Sequence, residues 1–233
     1  MALPDPAPAS LPVIWYGGTF DPVHEGHLAI ARAAAATFGV PVTLAPAADP
    51  PHRAAPGASA MQRAHMLDLA VAGDRRLRVD RRELHRPGPS WTVDTLRELR
   101  GERGPVAPLA LLLGADSFRS LPQWRQWRQL PQLAHFIVAA RHPDDALDAL
   151  AAELAEAVEG RWTDDPRDLA RAPAGRCFAL QQPLRGESAT AVRRGLARGD
   201  QAWRDQVPAA VAAYIQAQGL YRPGGHGAGP APV

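Results

Sequence analysis

Residues 13–28, VIWYGGTFDPVHEGHL, constrain the fold of this chain more than any other stretch. Val13–Tyr16 is an apolar run rich in β-branched and aromatic residues, which predicts a buried strand. Gly17 and Gly18 follow, where the backbone can turn sharply or approach a ligand closely. Beyond the turn, apolar residues recur at helical spacing as far as Phe38. The stretch therefore predicts a strand, a glycine turn and a helix.

Two histidines, His24 and His27, flank Gly26 in the first turn of that predicted helix. Free N–H groups at a helix N-terminus favour anions, and imidazoles placed there can donate hydrogen bonds to phosphate oxygens. A glycine pair or a first-turn histidine, taken alone, is typical of an ordinary turn or a solvated side chain. The complete string GGTFDPVHEGHL is similar to the HxGH motif of the nucleotidyltransferase superfamily. More narrowly, it resembles the bacterial nicotinate-nucleotide adenylyltransferases.

Composition excludes several classes of protein. No apolar run approaches the roughly 20 residues of a membrane span, and no signal peptide is evident. The single cysteine, Cys177, excludes an internal disulfide framework and a cysteine-based zinc cluster. The net charge is +2, and the basic residues, all arginine, alternate with Asp and Glu. We therefore expect a cytoplasmic protein that binds small anions rather than nucleic acid or membranes, as a monomer or a homo-oligomer.

Strand and helix signals alternate along the chain, which predicts a single α/β domain with a Rossmann-like, doubly wound parallel sheet. The domain should span residues 12–221, between Pro-rich or Gly-rich stretches at 1–11 and 222–233 that we predict to be disordered. Residues 160–176 are predicted to be irregular. Further strands are predicted at Val42–Leu44, Leu77–Val79, Leu109–Leu113, His135–Ala139 and Phe178–Leu180. Further helices are predicted from Ser59 to Gly73, from Ser90, and over Asp144–Glu159, Ser188–Arg198 and Pro208–Gln218.

A second constellation lies at Ser188–Arg193, with the sequence SATAVR. Two hydroxyls at a helix start, with an arginine one turn further on, can converge on a phosphate. Alone, the pattern is also that of an ordinary capped helix. It resembles the superfamily's ISSTxIR motif, which holds the ATP β- and γ-phosphates, with Glu187 in place of Ile and Ala189 in place of the second Ser.

Shorter matches to the same family follow in order along the chain. PPHR, ending at Arg53, resembles PPHK with Arg in place of Lys. SWTVDTL, which contains Thr92, resembles SYTxDTL with Trp in place of Tyr. GADS, from Gly114, resembles GxDS, and RHP, from Arg141, approximates RPG. Trp124 matches an aromatic residue that stacks on the pyridine ring in the family, whereas Trp127 is expected to be a core residue.

The resemblance implies that the chain transfers AMP from ATP to nicotinate mononucleotide, with Mg²⁺ carried by ATP and no metal site formed by the protein. His24, His27 and Arg193 would act on the reacting phosphates. The residues expected to bind ATP or its phosphates are Gly17, Gly18, Thr19, Phe20, Gly26, Gly114, Asp116, Ser188 and Thr190. The residues expected to bind the mononucleotide are Arg53, Thr92, Trp124 and Arg141.

Two alternatives stay open at this point, and the composition argues against a third, an aminoacyl-tRNA synthetase. Another superfamily adenylyl- or cytidylyltransferase would use nicotinamide mononucleotide, phosphopantetheine or glycerol phosphate as the acceptor. A class I aminoacyl-tRNA synthetase would need a KMSKS loop, which a chain without lysine lacks. A non-catalytic nucleotide-binding protein would have no need to retain both histidines and Arg193.

Overall fold

Seven parallel strands form one sheet in the computed structural model, which describes residues 11–48, 57–139, 150–182 and 185–222. In chain order the strands are β1 (Val13–Gly18), β2 (Val42–Pro46), β3 (Leu77–Val79), β4 (Leu109–Gly114), β5 (His135–Ala139), β6 (Trp162–Thr163) and β7 (Cys177–Leu180). Their order across the sheet is β3-β2-β1-β4-β5-β7-β6. Each pair of neighbouring strands is parallel, as the alternation of strand and helix signals predicts.

Helices connect these strands and cover the sheet. The α-helices are α1 (Glu25–Phe38), α2 (Ala60–Val71), α3 (Arg82–His85), α4 (Thr92–Arg103), α5 (Ala115–Arg119), α6 (Leu130–Leu133), α7 (Ala152–Val158), α8 (Ala189–Arg198) and α9 (Ala209–Ala217). Short 3₁₀ helices lie at Leu121–Gln123, Trp127–Gln129, Pro166–Ala170 and Ala202–Gln206. No helix in the described ranges is long and apolar enough to cross a membrane.

The alternation of side chains along β1 explains why the sheet is covered on both faces. Ile14 and Tyr16 enter one apolar cluster with residues of α1, α2, α8 and α9. Trp15 points to the opposite face and enters a second cluster with residues of α4, α5, α6 and α7. Because both faces of β4 are covered in this way, all six of its residues are buried. The predicted doubly wound architecture is confirmed.

The direction of winding reverses between β1 and β4. From β1 the chain first builds β2 and β3 on one side, then crosses back to place β4 and its successors on the other. In such sheets, ligands bind in the crevice outside the carboxyl ends of the strands at this switch point. The glycines that end β1, together with Gly114 at the end of β4, therefore lie beside the expected ligand crevice.

Some local predictions were wrong. Gly17 and Gly18 were predicted to form a turn, but both still pair with β2, so the turn begins after them. The edge strand β6 was missed because an alternation of apolar and polar side chains cannot be detected over only two residues. The helical pattern predicted from Asp144 yields the described helix α7, and its first residues fall in the undescribed range 140–149. The two terminal stretches predicted to be disordered lie outside the described residues except for Leu11 and Arg222.

Candidate active site

A cleft of about 790 Å³ opens at the switch point, between the carboxyl ends of β1 and β4. It runs from the start of α1 and α8 at one end to the start of α4 and the 3₁₀ turns after α5 at the other. Of the residues expected in the site, it brings together Gly17, Gly18, Thr19, Phe20, His24, His27, Thr92, Gly114, Asp116, Trp124, Ser188, Thr190 and Arg193. Arg53 and Arg141 lie outside the described residues.

The two histidines form a stacked pair at the N-terminus of α1. His24 is the N-cap residue, and His27 is the third helical residue. Their ring centroids lie 3.7 Å apart, and the backbone N–H of His24 lies 3.4 Å from Nδ1 of His27. His24 is 2% exposed, whereas His27 is only partly buried. His27 is therefore the imidazole that is more accessible to a ligand in the cleft.

The ring of Phe20 packs against His27 of this pair. Its φ of 50° places it in the left-handed region, and its ring packs edge-on against His27 at 5.0 Å and Tyr16 at 5.6 Å. A Cβ added at Gly18 would lie 3.0 Å from the Phe20 ring. Gly18 is thus needed for the close approach of this ring, in addition to any contact with a ligand.

Gly26 lies at a close approach between α1 and the segment that precedes α8. A Cβ at this position would lie 3.0 Å from Nδ1 of His24 and 3.3 Å from the carbonyl oxygen of Glu187. Gly26 lines a small cavity beside the main cleft rather than the cleft itself. Its position brings the N-termini of α1 and α8 together, so that both helices face the same end of the cleft.

The N-terminus of α8 supplies hydroxyls and an arginine. Ser188 is the N-cap, and its Oγ accepts a hydrogen bond from the backbone N–H of Ala191 at 3.1 Å. Because the hydroxyl acts as an acceptor there, its own proton stays available for a phosphate oxygen. Nη2 of Arg193 donates to Oγ1 of Thr190 at 3.4 Å. These three side chains line the cleft at the same end as the histidines.

Asp21 joins the end of the cleft that the histidines line to distant parts of the chain. Its carboxylate accepts from the backbone N–H groups of Gly57 at 2.8 Å and Ala58 at 3.1 Å, and from the Tyr221 hydroxyl at 2.7 Å. Its backbone carbonyl accepts from Nη1 of Arg193 at 2.5 Å. The sequence predicted only a turn at this residue, since no local pattern indicates partners 36 to 200 positions away.

Arg63 is a second positioning residue that the sequence analysis missed. This side chain of α2 is 0% exposed and lies beneath the loops that follow β1 and β2. Its guanidinium donates to the carbonyl oxygens of Thr19 at 2.6 Å, Ala48 at 2.9 Å and Ala58 at 3.3 Å. Its spacing relative to the buried Met66, Leu67 and Ala70 was the available signal, because an arginine on an apolar helix face needs buried acceptors.

The opposite end of the cleft is aromatic. Trp91 and Trp124 line it together with Thr92, the first residue of α4. The indole Nε1 of Trp124 donates to Oγ of Ser120 at 3.3 Å, which orients the ring. Trp127 is 6% exposed and packs in the apolar cluster, as expected for a core residue. This end therefore offers flat apolar faces beside a helix N-terminus.

Two carboxyl groups of the cleft differ in environment. Asp116 is the second residue of α5, whose N-cap is Gly114, and it is exposed. Glu83 of α3 is 6% exposed and accepts from the Thr95 hydroxyl at 2.8 Å. Burial raises the pKa of Glu83, although hydrogen bonds from Thr95 and Ser90 oppose this shift. Glu83 was not identified from the sequence, since the short helix α3 was not predicted.

His135 is a buried residue of β5 and does not line the cleft. His135 is 0% exposed, with Nε2 2.8 Å from the carbonyl oxygen of Ala172 and Nδ1 accepting from the N–H of Arg176 at 3.0 Å. Burial lowers its pKa. Over the described ranges, no three His, Cys, Asp or Glu side chains come together to hold a metal ion.

Comparison with known proteins shows the family to which the chain belongs. Residues 15–195 match the family model described as cytidylyltransferase-like. The chain is 56% identical over 214 residues to a protein of Stenotrophomonas maltophilia named "Probable nicotinate-nucleotide adenylyltransferase", covering 90% of this chain and 96% of that protein. It is 41% identical over 208 residues to the nicotinate-nucleotide adenylyltransferase of Escherichia coli, covering 89% and 97% of the two chains.

A solved structure shares the fold. The nicotinic acid mononucleotide adenylyltransferase of Plasmodium falciparum, in a complex with NaAD, aligns with a TM-score of 0.68 at 14% identity. The alignment covers 90% of this chain and 96% of that one. At this level of identity the match establishes the architecture of the sheet and its helices, while the assignment of individual residues depends on the geometry described above.

Proposed function

The chain belongs to the cytidylyltransferase-like family, and on that premise we propose that it transfers AMP from ATP to nicotinate mononucleotide. The products are nicotinate adenine dinucleotide and pyrophosphate, a step of NAD biosynthesis. The observation that carries the proposal is one continuous cleft at the switch point of the sheet. At one end, which we call the phosphate end, the cleft is rich in groups that can donate hydrogen bonds to phosphate. The other end is aromatic and can accept a pyridine ring.

The reaction is an in-line displacement at the α-phosphate of ATP. The attacking group is the phosphate of the mononucleotide, which is already ionised near neutral pH, so no protein base is required. The protein then has to orient the two substrates and stabilise charge on the phosphates. Hydroxyls, imidazoles, helix N-termini and a guanidinium, which line the cleft, are groups suited to that task.

The role of each side chain in the reaction is proposed from its place in the cleft. His27, accessible and next to the buried His24, would donate to the reacting phosphates. Thr190 and Arg193, at the N-terminus of α8, would hold the pyrophosphate that leaves. Trp124, oriented by Ser120, would stack on the pyridine ring, with Thr92 close to its carboxylate. Because Arg193 also binds the carbonyl of Asp21, it would link the leaving group to the turn after β1.

We propose that Mg²⁺ enters with ATP. The donors at the phosphate end of the cleft suit phosphate oxygens, and the described residues offer no cluster of three metal-ligating side chains. When bound to phosphate oxygens, Mg²⁺ would offset their negative charge. A cytoplasmic location is part of the same proposal, because a single cysteine suits a compartment in which thiols stay reduced.

The test is ATP-dependent release of pyrophosphate by the purified protein with Mg²⁺. Nicotinate mononucleotide, nicotinamide mononucleotide and phosphopantetheine would be offered in parallel. We expect rapid release with nicotinate mononucleotide and formation of nicotinate adenine dinucleotide. Preference for phosphopantetheine would refute the assigned acceptor, and ATP binding without release for any acceptor would refute catalysis.

A further inference from the structure

We propose that Arg125 sets the preference for a pyridine acceptor that carries a carboxylate over one that carries a carboxamide. The inference rests on the proposed function and assigns its acceptor specificity to a particular side chain. Arg125 follows Trp124 in sequence and lines the aromatic end of the cleft. No family motif identified in the sequence includes it.

The position of the Arg125 guanidinium is defined by Trp91. Its Cζ atom lies 5.3 Å from the centroid of the Trp91 ring, within the range of a cation–π contact. Trp91 is the N-cap of α4, so the contact holds the positive charge next to the first turn of that helix. A helix N-terminus itself favours anions. Two features that attract negative charge therefore meet beside the indole of Trp124.

The charge on Arg125 is not engaged by an acidic side chain of the described residues. Its neighbours differ: Arg128 pairs with Glu153 at 2.9 Å, and Arg97 pairs with Asp94 at 3.0 Å. Arg193, the other arginine among the described residues that line the cleft, is bound at the opposite end. Within the described part of the aromatic end, Arg125 is thus the permanent cation that a ligand would meet.

The two acceptors differ in the group that the Arg125 charge would contact. Nicotinate and nicotinamide have the same shape, and they differ in charge and in one pair of hydrogen-bond donors. A guanidinium offers only donors in a planar fork, which matches a carboxylate and leaves the amide NH₂ group facing another donor. Glu83, the buried acid that lines this end, is engaged by the Thr95 hydroxyl, which donates to its carboxyl group at 2.8 Å.

The experiment compares kcat/KM for nicotinate mononucleotide and for nicotinamide mononucleotide in the parent enzyme and in Arg125→Gln. We expect the ratio to fall about tenfold, the scale of a lost charge-assisted contact, through a higher KM for nicotinate mononucleotide. The KM for ATP should not change. Arg128→Gln is the matched control, because Arg128 also lies over an indole, 4.6 Å from the Trp127 centroid, but does not line the cleft.

Two further measurements sharpen the result. Arg125→Lys keeps the charge and should retain a larger share of the preference than Arg125→Gln. Because Arg125 is exposed, salt should screen its charge, so the preference of the parent enzyme should fall as ionic strength rises. In Arg125→Gln this dependence should be weaker.

Each other outcome has a distinct meaning. An unchanged ratio in Arg125→Gln would overturn the inference and leave acceptor selection to other groups, such as the backbone of α4. An equal loss with both acceptors would also overturn it, because Arg125 would then support binding without discriminating. Failure of the parent enzyme to use either mononucleotide would instead refute the proposed function.

Discussion

The hydroxyl of Tyr221 donates a hydrogen bond of 2.7 Å to the carboxylate of Asp21, a residue 200 positions earlier in the chain. The ring of Tyr221 also packs directly on Gly57, where an added Cβ would lie 2.8 Å from it. Asp21 in turn binds the N–H groups of Gly57 and Ala58 and, through its carbonyl, the guanidinium of Arg193. The C-terminal segment thus holds the turn that precedes the two histidines of the cleft.

Tyr221→Phe should therefore lower both stability and activity. The variant loses one donor to a carboxylate that is 6% exposed, which should reduce the free energy of unfolding by about 2 kcal/mol. The turn after β1 should become less well positioned, and we expect kcat to fall several-fold. Urea denaturation monitored by tryptophan fluorescence, together with steady-state kinetics, would measure the two effects.

Tyr214→Phe is the matched control for that experiment. Tyr214 is also partly buried, but its hydroxyl makes no hydrogen bond to the described residues, and its ring packs at a tilt against His65 at 4.7 Å. This variant should differ little from the parent in either measurement. Equal stability and activity of Tyr221→Phe and the parent enzyme would show that the contact with Asp21 does not hold the turn in place.

His27→Ala should lower kcat by roughly 10²–10³, the scale observed when one donor to a transition state is lost. The loss should appear in kcat because additional negative charge builds up on the α-phosphate and on the leaving pyrophosphate as the reaction proceeds. His65→Ala is the control, since His65 is exposed on α2 and does not line the cleft. An unchanged kcat for His27→Ala would rule out the proposed role, provided thermal melting shows that the variant remains folded.

Arg193→Ala should raise the KM for ATP about tenfold, because one charge-assisted contact to the leaving pyrophosphate is lost. The bond from Arg193 to the Asp21 carbonyl adds a further expectation, a lower kcat from the displaced turn. Arg194→Ala tests specificity, since Arg194 is the next residue of α8 but is exposed and outside the cleft. A normal KM for ATP in Arg193→Ala would remove this residue from the site.

The parts of the fold that the sequence predicted are those with local signals. The apolar run Leu109–Leu113 predicted the strand β4, and the helix predicted from Ser59 is α2, which begins with a capping box formed by Ser59 and Gln62. The helical spacing predicted as far as Phe38 matches the end of α1, where Gly39 has the left-handed φ of 68° that favours glycine at a helix C-cap. Each of these signals depends on a few neighbouring residues. The local structure it predicts therefore does not depend on contacts between distant parts of the chain.

The residues that were missed act across long sequence separations. Asp21 lies in a turn motif whose composition explains the turn but not its contact with Tyr221. No sequence pattern around Arg125 distinguishes it from other arginines, and only the fold places its guanidinium over the ring of Trp91. Arg63 was also missed, although its place on the apolar face of α2 was a local signal of a buried cation that needs acceptors.

Glu83→Gln should change how stability depends on pH. Burial raises the pKa of Glu83 above its ordinary value of 4.5, so the folded protein holds this proton more tightly than the unfolded chain does. The resulting stabilisation is fully present below about pH 4.5 and is lost as the pH rises through the raised pKa. A glutamine does not titrate, so the parent should gain stability relative to Glu83→Gln between pH 7 and pH 5. Urea denaturation of both proteins at the two pH values would measure this gain, and a constant difference in unfolding free energy would contradict the raised pKa.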